Sequence, residues 1–156
     1  MAATPDGLGR LFNVVFTASG RGVKLVDGSA VTFVSADAGS GDQVLTFTQR
    51  DSSGVNSEID LNIFDNASTT VDAQSRVYVG SDVGDGAWTQ AATSDANSFT
   101  NASTTNDTVV VTVRAEQLAD GYDLVECTVT GGSCVGLLHE LNVQRKPSNL
   151  RGISVA

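Results

Sequence analysis

Short runs of alternating apolar and polar residues recur along most of the chain. The clearest is 58–64, in which Ile59, Leu61 and Ile63 alternate with charged or amide residues. A period of two is typical of a β-strand with one buried and one wet face. Other apolar runs predict further strands at 11–18, 23–26, 31–35, 43–49, 109–114, 123–130 and 134–144. In the polar middle of the chain, only 76–79, 87–90 and 98–99 offer strand material. Strands of this kind with almost no helix predict an all-β fold, an antiparallel β-sandwich or partly closed barrel of about 8–9 short strands with extended terminal arms.

The chain of 156 residues is of ordinary size for a single domain. We expect an N-terminal arm at 1–10, one β domain at 11–144 and a basic C-terminal tail at 145–156. Residues 115–120 predict one helical turn that ends at Gly121. In the run 43–49, Leu45 and Phe47 are predicted to point inward, and the Gln and Thr residues largely outward. The predicted core is Phe12, Val14, Phe16, Phe33, Leu45, Phe47, Ile59, Leu61, Ile63, Val111, Val125 and Leu141.

The two cysteines flank a turn signal. Gly131 and Gly132 separate the runs 123–130 and 134–144, which predicts a β-hairpin. A two-residue loop would set Cys127 and Cys134 diagonally on one face, with Cα atoms about 7 Å or more apart, too far for an unstrained disulfide. This register favours two buried free thiols; a slipped register would allow a disulfide.

Charge narrows the choice of partners. The net charge of −9 and the pI of about 4.3 disfavour nucleic acid and anionic membranes. No apolar stretch approaches the roughly 20 residues that span a bilayer. Residues 1–6 carry neither the basic nor the apolar region of a secretory signal, so we expect the protein to be made and assembled in a cytoplasm.

The residues that usually carry catalysis are scarce. His139 is the single histidine, and we predict a hydrogen-bonded core or interface residue on one strand face with Val135, Leu137, Leu141 and Val143. The chain contains no G-x-S-x-G or Cys–His pattern to supply a nucleophile. The cysteine spacing matches no zinc knuckle. We therefore predict no catalytic residue, no cofactor and no metal site, and expect that the protein is not an enzyme.

Other polar motifs have simpler interpretations. The Asp- and Gly-rich loops 37–42 and 82–86 match no calcium-loop pattern, so turn chemistry is predicted. The near-identical heptapeptides 66–72 and 101–107 are interpreted as similar loop chemistry and not as a repeat. Glu58 and Asp60 are predicted to be solvated on a wet strand face, not to form a glycosidase pair. The sequons at Asn66, Asn101 and Asn106 are expected to be unmodified in a cytoplasm.

Trp88 and the terminal segments are the candidate contact regions. The single tryptophan is either a core anchor or an interface anchor. A basic tail on an acidic body suits docking onto an acidic neighbour, including another copy of the chain. The predicted interface residues are Leu8, Arg10, Leu11, Trp88, Arg145, Lys146, Leu150 and Arg151.

The C-terminal third carries a resemblance. The segments LADGYD (118–123), CTVTG (127–131) and LLHELNVQRKPSNL (137–150) resemble the end of small virion proteins of tailed phages that infect actinobacteria. The Lys-poor composition, rich in Ala, Gly, Ser, Thr and Asp, is similar to that of the same group. The resemblance implies a capsid decoration (minor capsid) protein, which sits on the outside of the head and clamps neighbouring major capsid subunits, often as a trimer. Such proteins share no universal motif, so the resemblance assigns no individual residue a role.

We therefore expect a structural virion protein that decorates and stabilises an icosahedral phage capsid by bridging major capsid subunits. It would act as a homotrimer on the outer capsid surface after assembly in the host cytoplasm, with both terminal arms contacting the shell. The alternative is a tail or head-fibre β-domain that binds host surface glycan or protein through the loops 66–72 and 95–107.

Overall fold

The structure, a computed structural model, describes residues 14–17, 20–25, 29–37, 41–64, 77–81, 87–91, 97–102 and 106–140. Within these ranges it confirms the all-β prediction. The strands are β1 (Val14–Thr17), β2 (Arg21–Lys24), β3 (Ala30–Asp37), β4 (Gln43–Arg50), β5 (Ile59–Asp60), β6 (Val77–Ser81), β7 (Trp88–Gln90), β8 (Ser98–Asn101), β9 (Asn106–Arg114), β10 (Leu124–Thr130) and β11 (Gly132–His139). The predicted helical turn is a 3₁₀ helix at Ala115–Gln117. Both predicted arms lie outside the described residues.

The strands form two antiparallel sheets. The larger sheet has the order β1-β11-β3-β9-β6-β7, and the smaller has the order β10-β4-β5 with β8 also paired to β4. Strand β2 runs beside β10, where the amide of Gly20 donates to the Cys127 carbonyl at 3.1 Å and the amide of Leu25 donates to the Asp123 carbonyl at 2.8 Å. Most strand neighbours are therefore distant in sequence.

The two sheets face each other across one apolar core, as in a β-sandwich. Phe33 of the larger sheet and Phe47 of the smaller sheet meet edge to face, with ring centroids 5.5 Å apart. Of the predicted core, seven residues are buried as expected: Phe33, Leu45, Phe47, Leu61, Ile63, Val111 and Val125. Phe12 and Leu141 lie outside the described residues, as do the side chains of Val14 and Phe16.

The prediction for Ile59 was wrong. Its side chain is 41 % exposed, whereas Leu61, Ile63 and Phe64 are buried. The strand expected at 58–64 pairs only at Ile59–Asp60. Beyond it the Ile63 amide donates to the Leu61 carbonyl at 3.0 Å, a tight turn that ends the regular strand while Leu61 and Ile63 still point inward.

The outward orientation expected for the Gln residues of β4 was also wrong. Gln43 is fully buried and Gln49 is 5 % exposed, because alternation along β4 places both on the same inward face as Leu45 and Phe47. The Gln49 amide oxygen accepts a hydrogen bond from the Ala119 amide at 2.8 Å. Burial of this polar side chain is thus supported by a backbone donor.

The hairpin expected between β10 and β11 does not form. Strand β10 pairs with β4 in the smaller sheet, and β11 pairs with β1 and β3 in the larger sheet. Gly131, with φ of 76°, is the single residue between them. The chain therefore turns a corner from one sheet to the other. Cys127 and Cys134 are free and buried, as the favoured prediction held, but on strands of opposite sheets.

Candidate protein-interaction face

An apolar row crosses the outer face of the larger sheet. The strand register places Val135, Val34, Val110 and Tyr78 side by side on β11, β3, β9 and β6. Their chain neighbours Phe33, Val109, Val111 and Cys134 are buried in the core, so alternation directs the row away from it. Val135 is 40 % exposed and Tyr78 is 38 % exposed. With strands about 4.8 Å apart, the row spans roughly 14 Å.

Trp88 extends this surface at the sheet edge. It lies on β7 directly opposite Gly80 of β6. A Cβ at Gly80 would lie only 3.3 Å from carbon atoms of the indole ring, so the glycine leaves room for the ring to lie against the strand. The side chain is 54 % exposed. Of the two roles predicted for Trp88, the core anchor is wrong and the interface anchor stays a prediction.

The positions next to the apolar row carry small side chains. Continuing from Trp88 and Gly80, the same register places Thr108, Ala36 and Ser133 in line across the sheet. Short side chains at these positions leave the face flat. A flat face with an exposed Trp and Tyr suits contact with another protein surface better than enclosure of a small molecule.

A polar network lies on the other side of the apolar row. Thr32 Oγ1 lies 2.8 Å from Thr112 Oγ1 and 2.8 Å from His139 Nε2. His139 Nδ1 lies 3.7 Å from a carboxylate oxygen of Glu140, and a second Glu140 oxygen accepts a hydrogen bond from Arg114 at 2.6 Å. Burial lowers the pKa of His139, and the charge of Glu140 opposes that shift only in part. The prediction of a hydrogen-bonded histidine is confirmed.

The contact between Thr32 and His139 brings a hydroxyl to an imidazole, as in hydroxyl-based nucleophiles. Thr32, however, lies within β3, which pairs with β11 on one side and β9 on the other. The backbone N–H groups of these paired strands are used by the sheet ladder and are not available to stabilise an oxyanion. The side-chain contacts of Thr32 therefore connect β3 with β9 and β11, and this arrangement supplies no acyl-transfer site.

A charged cluster lies on the smaller sheet. Arg50 Nη2 lies 2.7 Å from a Glu58 carboxylate oxygen and 3.2 Å from a Glu126 carboxylate oxygen, the latter an ion pair without hydrogen-bond alignment. Residues 50–54, with Gly22, Leu124 and Glu126, line an adjacent cleft of about 280 Å³. Glu58 and Asp60 are exposed, which confirms the prediction that they are solvated.

The loop beside this cleft is held by its own hydrogen bonds. Asp123 accepts hydrogen bonds from the amide and the hydroxyl of Ser52 and pairs with Lys24. Burial opposes ionisation of Asp123, but the contacts with Lys24 and Ser52 outweigh it and lower its pKa. Its charge is thus satisfied within the fold. Among the described residues, no group of three or more His, Cys, Asp or Glu side chains is arranged to hold a metal ion.

Most of the predicted contact residues cannot be placed on this face. Leu8, Arg10, Leu11, Arg145, Lys146, Leu150 and Arg151 lie outside the described residues, as do the loop 66–72 and, within 95–107, residues 95–96 and 103–105. The rest of 95–107 includes β8 and the start of β9. The apolar row itself was missed by the sequence predictions. Its signal was present in the uninterrupted Val109-Val110-Val111, because consecutive apolar residues place one on each strand face.

Nothing in the described ranges forms a helix with the length and apolarity needed to cross a bilayer. Comparisons with protein-family models, with curated proteins and with solved structures found no match for this chain.

Proposed function

We propose that this protein is a structural virion module that decorates a phage capsid by binding protein surfaces through the outer face of its larger sheet. The observation that carries the proposal is the apolar row with Trp88 at its edge. Trp and Tyr supply large contact area at low cost in conformational entropy and are enriched among residues that dominate interface energies.

The energetics favour a repeated, shared contact. Burial of apolar surface stabilises a complex by about 25 cal/mol per Å², offset by the cost of association. A row of this length gives a modest contact for one copy. Copies linked to each other on a symmetric shell would bind far more tightly through multivalency.

The charge of the chain supports a protein partner. A net charge of −9 opposes association with a nucleic acid backbone. The capsid as partner follows from the resemblance of the C-terminal segments to small virion proteins. Residues 1–11 and 145–156 are proposed as additional shell contacts.

Co-sedimentation with expanded empty capsids tests the proposal, with copies bound per shell as the measurement. We expect saturable binding of the wild-type chain in a multiple of three per icosahedral facet. Trp88→Ala and the double variant Tyr78→Thr/Val135→Thr should each weaken binding by about 10-fold or more, since interface aromatics often contribute 2 kcal/mol or more.

Val55→Thr and Ile59→Thr are the matched controls. They replace apolar side chains, 82 % and 41 % exposed, by a polar one in the loop 51–58 and on β5 of the smaller sheet. Their binding should equal that of the wild type. Equal binding by all variants would reject the face as the contact. Absence of shell binding, with binding to cell envelopes or a glycan array instead, would transfer the assignment to a tail or head-fibre domain.

A further inference from the structure

The two cysteines lie in the core on strands of opposite sheets. Cys127 belongs to β10 in the smaller sheet, and Cys134 belongs to β11 in the larger sheet. Both are less than 2 % exposed and belong to the same apolar cluster. Both are free thiols.

The corner at Gly131 sets the two thiols level with each other. The core-facing residues nearest to Gly131 are Val129 on β10 and Gly132 on β11. The next core-facing residues are Cys127 on β10 and Cys134 on β11. The two sheets are joined at this corner, so their separation here is smaller than the roughly 10 Å typical of stacked sheets. A disulfide requires Cα atoms about 4.4–6.8 Å apart, a separation that strands of two stacked sheets reach only near such a junction.

Each thiol affects the ionisation of the other. The neighbouring Cys134 thiol and burial raise the pKa of Cys127 well above its usual range, and the neighbouring Cys127 thiol lowers the pKa of Cys134. The Cys127 sulfur is positioned to complete an exchange that begins at Cys134.

We propose that Cys127 and Cys134 form a dithiol–disulfide site whose oxidation by a small-molecule disulfide joins the two sheets covalently. The Cys134 thiolate attacks the small disulfide, which gives a mixed disulfide and releases one small thiol. The Cys127 thiolate then attacks the Cys134 sulfur and releases the second small thiol. Two protein thiols and one small disulfide thus become one intrachain disulfide and two small thiols.

The bond would stabilise the folded state. It closes a short loop, 127–134, and so restricts the unfolded chain. For a chain of this length the expected gain corresponds to a rise in Tm of about 5 °C. Buried thiols react only when the structure opens locally, so oxidation of the native protein is expected to be slow.

The test uses the full chain equilibrated with oxidised glutathione in low, non-denaturing urea, against a sample kept in dithiothreitol. Thiols are alkylated after full denaturation and counted by intact mass. We expect the count to fall from two to none, with the mass of a monomer that has lost two hydrogen atoms. Its Tm should rise on oxidation and return after reduction.

Single variants Cys127→Ser and Cys134→Ser serve as controls. Each should retain one thiol or form a glutathione adduct, and neither should gain Tm on oxidation. If either variant is unfolded, the wild-type thiol count and Tm still decide the question. Two thiols left in the wild type at equilibrium, a stable glutathione adduct, an interchain dimer, or a disulfide that lowers Tm would each overturn the proposal. None of these outcomes depends on capsid binding.

Discussion

At the scale of single residues, two glutamines on one strand have opposite environments. Gln43 and Gln49 both point into the core from β4. The side-chain oxygen of Gln49 accepts a hydrogen bond from the Ala119 amide. Its side-chain nitrogen donates a hydrogen bond to the Asp60 carbonyl oxygen at 3.4 Å. Within the described part of the chain, neither polar atom of the Gln43 side chain has a hydrogen-bond partner. Burial of an amide costs free energy because the group loses its hydrogen bonds to water. A hydrogen bond within the protein recovers most of that cost, but an unpaired amide recovers none of it.

This contrast predicts opposite effects of one substitution. Gln43→Met removes an unpaired amide in favour of an unbranched apolar chain of similar length, so we expect the free energy of unfolding to rise by about 1 kcal/mol. Gln49→Met leaves the Ala119 amide without its acceptor, so we expect a fall of about 1–2 kcal/mol. Urea denaturation of both variants measures the difference. Equal losses at the two positions would mean that Gln43 has a polar partner, such as an internal water.

At the scale of elements, the corner between β10 and β11 depends on glycine. Gly131 has φ of 76°, and a Cβ there would overlap the backbone carbonyl oxygen of Asp42. The next residue, Gly132, is equally enclosed, because a Cβ there would overlap the carbonyl oxygen of Ala36. The glycine pair is therefore required by a close approach of β10 and β11 to other backbone segments. In a hairpin loop with open space around it, glycine would be needed only because it can adopt a positive φ.

Comparison of Gly131→Ala with Gly41→Ala separates these two requirements. Gly41 has φ of 87° but open space around it, so alanine there meets only the strain of a left-handed backbone, about 1 kcal/mol. Gly131→Ala adds a backbone overlap and should cost about 3 kcal/mol or more. Thermal and urea unfolding give both values. A cost at Gly131 no larger than that at Gly41 would show that the corner can shift to accept a side chain.

The strand predictions failed where pairing is not local. The runs 123–130 and 134–144 are adjacent and separated by two glycines, which is a strong local hairpin signal. In the structure each strand instead pairs with a partner far away in sequence, β4 or β3. A local pattern reports which face of a strand is apolar, but not which strand lies next to it.

At the scale of the whole molecule, a series of aromatic rings connects the two sheets. Phe33 meets Phe47, Phe47 meets Phe64 at 5.5 Å, and Phe64 meets Phe99 at 6.3 Å between centroids. Phe47 is fully buried near the middle of this series, and Phe99 is only partly buried at its end. We expect the sheets to unfold together because neither can bury its inner face alone.

Phe47→Ala should therefore destabilise both sheets at once. The expected loss is about 3–5 kcal/mol for Phe47→Ala and about 1–2 kcal/mol for Phe99→Ala, because the cost follows the volume of the cavity left behind. Fluorescence of Trp88 reports on the larger sheet, and far-UV circular dichroism reports on both sheets. The two signals should follow one urea transition in every variant. Separate transitions would contradict a single cooperative core.

The sequence by itself determined the all-β class, the positions of most strands and seven of the described core residues. It could do so because burial with a period of two is a local property, readable from neighbours such as Leu45 and Phe47. It also indicated free thiols and a hydrogen-bonded His139. Where Val109, Val110 and Val111 are consecutive, it placed Val111 inward, but it did not show that the outward Val110 belongs to an apolar row.

Only the tertiary structure decided which strands are neighbours, and three consequences depend on that choice. The register of β11, β3, β9 and β6 aligns Val135, Val34, Val110 and Tyr78 into one row. The assignment of β10 and β11 to opposite sheets places the two cysteines on facing sheets of one core. The pairing of β6 with β7 sets Trp88 on Gly80 at an exposed edge. The physical reason is common to all three: strand pairing satisfies backbone hydrogen bonds between segments distant in sequence, and the local pattern carries no record of the partner.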